Sequence, residues 1–237
     1  MTSATIAVSG ESALRLTGTT GDAEIDWLLV HKIARYLEAA KFDGIIGCIP
    51  TYESVLVEFD AMTTTSESVA GYLEAIIGNL DLSTPLTTTP KHFRVPVFYG
   101  GEYGPDLDEV AEITGLSPEE VVALHSAPTY LIRCLGSPGG SPMLDGPAFP
   151  VPVPRLSSPR INVPQGSIAV AGRQATLAPA VAPGGWRVIG RTPHTILDLS
   201  QEPLAPYEPG DTLSFHPIGS DEFHALAGTR LAAQESS

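Results

Sequence analysis

Cysteine is scarce in this chain, two residues in 237, and Cys48 and Cys134 lie far apart, each in an apolar run. That argues against a disulfide framework or a cysteine metal site and predicts two buried free thiols. Basic residues are few as well: 13 Lys and Arg stand against 27 Asp and Glu, a net charge of -14. Nothing here neutralises a phosphate backbone, so no nucleic-acid partner is expected. No apolar run approaches the ~20 residues of a membrane helix, and no charged-then-apolar leader opens the sequence. A soluble, cytoplasmic protein with no membrane partner is the expectation. Missing too are an internal repeat, a GxGxxG turn, a GKS or GKT phosphate loop, an HExxH pair and any histidine pair at ligand spacing. No metal is expected, and a nucleotide must be held some other way.

What is abundant is punctuation. Twenty-two prolines and 23 glycines, with 43% hydrophobic residues, predict many turns and short strands around a sizeable core. Ile6–Leu16 reads as an opening strand pair turning at Ser9-Gly10-Glu11. Ile25, Leu28, Leu29, Ile33 and Leu37 recur at helical spacing behind Asp22, a candidate cap. Strands are expected at 42–49 and 54–59, and a second amphipathic helix at 66–80. This order predicts a small α/β sandwich over residues 1–84, with 81–90 as a linker.

Past the linker, 93–98 reads as a strand and 106–114 as a short helix stopped by Gly115. Ser117-Pro118-Glu119-Glu120 has the serine, proline and glutamate spacing of a capped helix start. From Tyr130 the apolar runs are short: 130–135, 168–170, 175–177, 187–189, 195–199 and 212–216 predict strands of an antiparallel barrel. Gly136–Pro164 is expected to be a long loop, Pro183-Gly184-Gly185 a tight turn, and 223–237 a frayed or partly helical tail.

Two long segments carry a resemblance: VPVFYGGEYGPDLDEVAEITGLSPEEVVALHSAPTYLI, and SPRINVPQGSIAVAG followed by PGGWRVIGRTP. They are similar to the family of the small (B-type) component of 5-oxoprolinase, also labelled allophanate hydrolase subunit 1 or the Kip-type kinase inhibitors, of carboxyltransferase subdomain C and D type. The resemblance covers nearly the whole chain. It implies an α+β protein, with a ferredoxin-like α/β domain over 1–84 and a cyclophilin-like barrel over 91–222. It further implies a hydrolase component that acts with a larger partner, of the 5-oxoprolinase C-type or allophanate hydrolase subunit 2 kind, and a third protein. The reaction implied is opening of 5-oxoproline to glutamate with ATP, and the nucleotide need bind only in the complex. Allophanate hydrolysis in urea degradation, and a non-enzymatic inhibitor docking on a histidine kinase, are the alternatives.

Arg160 and Arg191 fall in the matched motifs, and their donor forks suit a carboxylate or phosphate. The competing reading pairs each with an internal acid or a loop carbonyl. Gln174 both donates and accepts, as lactam recognition requires, and Trp186 in the Pro-Gly-Gly-Trp turn joins this binding set. His125 is a candidate proton carrier, weighed against a structural role at a helix end. Glu102, between glycines, is a second catalytic candidate, whereas Asp106 and Asp108 are explained by a helix dipole. His194 and His216 have weaker cases. Where the family carries an aromatic-rich Pro-Gly run, this chain has Leu135–Leu144 with Pro138-Gly139 and no aromatics.

Overall fold

The computed structural model describes residues 4–136 and 139–234, and the chain divides into two units between Thr88 and Thr89. The fold is α+β. The first unit runs β1 (Ala4–Val8), β2 (Ala13–Gly18), α1 (Ala23–Ala40), β3 (Ile45–Pro50), β4 (Ser54–Phe59) and α2 (Ser66–Asn79). Asp22 caps α1, accepting from the Glu24 and Ile25 amides. Lys41 ends the helix in the left-handed region at φ 47° and Gly44 follows at φ 82°, so β3 starts at Ile45 rather than at Phe42. The sheet is antiparallel in the order β1-β2-β4-β3, with Leu14, Leu16, Val55, Val57 and Phe59 buried against Leu29, Ile33 and Leu73 of the helices. A ferredoxin-like unit runs βαββαβ. Here the order is ββαββα, so the strand that would come last comes first and pairs beside β2. Within 81–90, Lys32 Nζ donates to the Asp81 and Thr84 carbonyls and Arg35 to that of Leu86.

The second unit runs β5 (His92–Tyr99), α3 (Leu107–Thr114), α4 (Pro118–Ser126), β6 (Thr129–Gly136), β7 (Ser141–Asp145), β8 (Arg160–Val163), β9 (Ser167–Ala171), β10 (Gln174–Leu177), β11 (Ala182–Gly184), β12 (Arg187–Arg191), β13 (Thr212–Pro217) and α5 (Ser220–Leu226). Seven strands close a barrel in the order β10-β7-β6-β13-β5-β12-β9. Its inside is filled by Phe93, Val95, Ile132, Leu144, Ile168 and Phe215, so it is a packed core and not a channel.

Four expectations need correction. The β13–β5 pair is parallel, so the barrel is not wholly antiparallel. The expected loop over 136–164 contains β7, a stave of the barrel, and β8; its Ser137 and Pro138 lie outside the described residues. Of the expected turn at 183–185, Pro183 and Gly184 are strand: β11 pairs with β8 as a separate two-stranded ribbon. Thr195–Leu199 forms no strand, only a bridge from Thr195 to Arg230. Its partner Arg230 lies in the expected tail, where Phe223 and Leu231 are buried, while residues 235–237 lie outside the described residues.

Candidate functional site

The ribbon β8–β11 makes the site. Every residue of β9 is buried: Ile168 and Val170 within the barrel, Ser167, Ala169 and Ala171 on the outer side. Val163, Ala169 and Val188 form a small apolar cluster there, with Trp186 and Ala178 packed on it. A Cβ at Gly184 would come within 2.9 Å of Val163 Cγ2, so glycine permits the close approach of the two ribbon strands. Over this floor lies a pocket of about 350 Å³ that includes Ser141, Met143, Thr176, Ala180 and Pro183. A second hollow of about 440 Å³ reaches Pro152, Gly172 and Gln174. Arg155 and Trp186 line both. The walls are mostly apolar with a few polar groups, the usual make-up of a small-molecule site.

Gln174 and Trp186 of the expected binding set therefore meet in one cleft. Arg160 does not join them as a free cation. Its guanidinium forms a two-pronged pair with the buried Asp106, at 2.6 and 2.7 Å, and that contact raises its pKa. Asp106 also accepts from the Val188 amide at 2.7 Å, so the carboxylate bolts the start of α3 to β12 and β8. Helix-dipole stabilisation alone did not predict this, and the internal-acid reading of Arg160 is the one the geometry matches.

Arg191 stands at the far end of β12. Five residues separate it from Trp186, roughly 16 Å along a strand. It lines another pocket, of about 280 Å³, with Tyr103, Gln165, Thr192, His194 and Phe223. Its Nε donates to the Gln165 carbonyl at 2.9 Å, and the guanidinium carbon sits 5.9 Å from the Tyr103 ring centre. One small substrate cannot touch both ends.

His125 is fully buried in the barrel core, stacked on Phe215 at 4.5 Å, with Nδ1 2.7 Å from the Tyr99 hydroxyl. Burial drives its pKa down to about 3, and it lines none of these pockets. Glu102 is exposed in the turn after β5, where Gly100 and Gly101 take positive φ, and it too stands apart from them. His194 bonds to the Thr229 hydroxyl at 2.8 Å, and burial lowers its pKa; burial, then nearby Arg94, lowers that of His216. Among the described residues no cluster of His, Cys, Asp and Glu is placed to hold a metal ion. Cys134 is buried and Cys48 half-buried, each pushed up to about 11 chiefly by burial. Among the described residues no helix is long and apolar enough to cross a membrane. Sequence reasoning missed Arg155. Its only signal was a second cation, five positions before Arg160, in the proline-rich run VPVPRLSSPR.

The carboxyltransferase domain, subdomain C and D, matches residues 4–207. The chain is 36% identical over 207 residues to the B component of 5-oxoprolinase from Bacillus subtilis (strain 168), covering 83% of this chain and 85% of that protein. A conserved uncharacterized protein from Pyrococcus horikoshii superposes with a TM-score of 0.54 at 34% identity, covering 92% of this chain and all of that one. The urea amidolyase of K. lactis superposes with a TM-score of 0.75 over 98% of this chain and 16% of its own; at 17% identity that likeness speaks to the fold alone.

Proposed function

Since the chain belongs to the carboxyltransferase domain family, subdomain C and D, we propose that it is the small component of a 5-oxoprolinase, a hydrolase that opens the lactam of 5-oxoproline to glutamate with ATP. The observation that carries the reading is the 36% identity to the B component of a 5-oxoprolinase over most of both chains. The cleft suits the substrate. Trp186 offers a flat wall to a five-membered ring, and the Gln174 amide can donate to the lactam oxygen and accept from the lactam N–H.

ATP fits this chain poorly. There is no glycine-rich phosphate loop, and among the described residues the cleft offers a triphosphate one guanidinium that the protein leaves unpaired, that of Arg155. Arg191 is too distant to serve a phosphate that must reach a lactam beside Trp186. We assign the nucleotide to the assembled complex rather than to this chain alone. A larger protein of the 5-oxoprolinase C-type or allophanate hydrolase subunit 2 kind is the partner proposed to complete the cleft, with a third protein.

The test is to co-express the chain with the larger and third components and measure ATP hydrolysis with and without 5-oxoproline. Stimulated hydrolysis with glutamate release is the expected result. A stable complex with no response to 5-oxoproline refutes the substrate assignment, and stimulation by allophanate instead moves the reaction to urea degradation. Failure to assemble, together with binding to a histidine kinase, favours the inhibitor reading.

A further inference from the structure

Four arginines stand around the ribbon and its cleft, and the protein itself engages three. Arg160 is held by Asp106. Arg187, buried, pairs with Glu109 and donates from Nε to the Pro154 carbonyl at 3.0 Å. Arg173 donates to the Phe149 carbonyl at 3.3 Å. Arg155 differs: among the described residues no carboxylate or carbonyl takes its guanidinium. It is exposed, and its Nε would lie 3.9 Å from a Cβ at Gly185, which places the charged end beside the backbone that carries Trp186. It lines both hollows of the cleft.

A cation that no described group of the protein engages, at the edge of an apolar hollow, is free to take an anion. The surroundings sharpen the point, because a chain of net charge -14 repels small carboxylates at long range and must offset that locally. Val163, Ala169, Ala178 and Ala182 supply walls poor in competing donors, where a charge-assisted, two-pronged bond to a carboxylate is strong. Gln174 lies in the hollow next to it, offering an amide to an amide.

We propose that Arg155 is the carboxylate-binding residue of this cleft, and that the ligand class it selects is a small planar amide bearing a carboxylate. The proposal rests on reading the cleft as the substrate site, and it adds the specificity determinant that the sequence motifs did not supply. Arg160 and Arg191 are thereby relieved of that role.

The experiment uses the full chain, with Trp27, the other tryptophan, replaced by Phe so that Trp186 fluorescence reports the cleft. The probes are 5-oxoproline and 2-pyrrolidinone, the same ring without its carboxylate. The native cleft is expected to bind 5-oxoproline about 10- to 100-fold more tightly than 2-pyrrolidinone, the range of one hydrogen-bonded charge. Arg155→Gln is expected to abolish that preference while leaving 2-pyrrolidinone binding unchanged, and Arg155→Lys to restore part of it. In the assembled enzyme Arg155→Gln raises KM for 5-oxoproline by a similar factor and changes kcat less. A preference that survives in Arg155→Gln, or no saturable binding of either ring by the chain and by the complex, overturns the proposal. A complex that fails to hydrolyse 5-oxoproline, in a protein whose carboxylate preference still depends on Arg155, refutes the 5-oxoprolinase reading and leaves the carboxylate site standing.

Discussion

At the scale of single residues, burial decides which titratable groups can act in chemistry. His125 stays neutral in the folded barrel because a charged imidazole there would lose its water with no carboxylate to replace it. Its folded pKa of about 3 lies below the ordinary 6.5, so between those values the unfolded chain binds the extra proton. Stability is therefore complete above pH 6.5 and falls as pH drops toward 3, by up to about 1.4 kcal/mol per pH unit. His125→Phe, which keeps an aromatic ring against Phe215, should flatten that dependence in urea titrations run from pH 7 to 4. It should also leave kcat of the complex within a few-fold; loss of turnover at unchanged stability would return His125 to catalysis. Asp106 is the opposite case, a buried carboxylate fully employed. Asp106→Ala strands the Arg160 fork and the Val188 amide together, and should cost about 3 kcal/mol of unfolding free energy in the C-terminal unit, read from the shift of its urea midpoint. An effect below about 1 kcal/mol, the size of an exposed pair, would deny that this bolt holds α3 to the barrel. Fifty-four residues separate the two partners, and no local pattern announces a contact of that span.

At the scale of elements, the legible parts were those whose signals are local. Helix α1 follows from Asp22 and five apolar residues at helical spacing. Helix α4 follows from Ser117 and Glu120, whose side chains satisfy each other's backbone amides as the capping box requires. The strands that escaped notice are β7, β8 and β11, which read SPMLD, RINV and APG. Proline and glycine inside β7 and β11 mimic turn chemistry, β8 is only four residues long, and only closure of the barrel and pairing of the ribbon make them strands. The cleft escaped for the same reason, since the ribbon is its wall. Leu144 tests the assignment of β7: in a surface loop its truncation would cost little, but it is fully buried inside the barrel. Leu144→Ala should therefore lower stability by roughly 2–5 kcal/mol in equilibrium denaturation. A near-neutral result would return 136–164 to the status of a loop.

At the scale of the whole molecule, the governing fact is that strand β12 holds its two candidate ligand contacts apart. Trp186 stands before its first residue and Arg191 is its last, roughly 16 Å along the sheet. A motif scan sees PGGWRVIGRTP as one signature, whereas the barrel delivers its two ends to different pockets. A lactam in the Trp186 cleft therefore cannot be held by Arg191, whose visible work is to tie the Gln165 carbonyl and to cover Tyr103. Kinetics on the assembled complex can separate the two ends. Gln174→Ala should raise KM for 5-oxoproline about 10-fold, through loss of the amide contact. Arg191→Ala should leave that KM within about 2-fold, and the double variant should match the product of the single effects, because sites this far apart without shared partners behave additively. A KM that rises as steeply for Arg191→Ala as for Gln174→Ala, or a double variant no worse than either single one, would mean that both pockets serve one bound ligand. That ligand would then have to span the strand, which excludes 5-oxoproline alone and leaves a larger amide as the substrate.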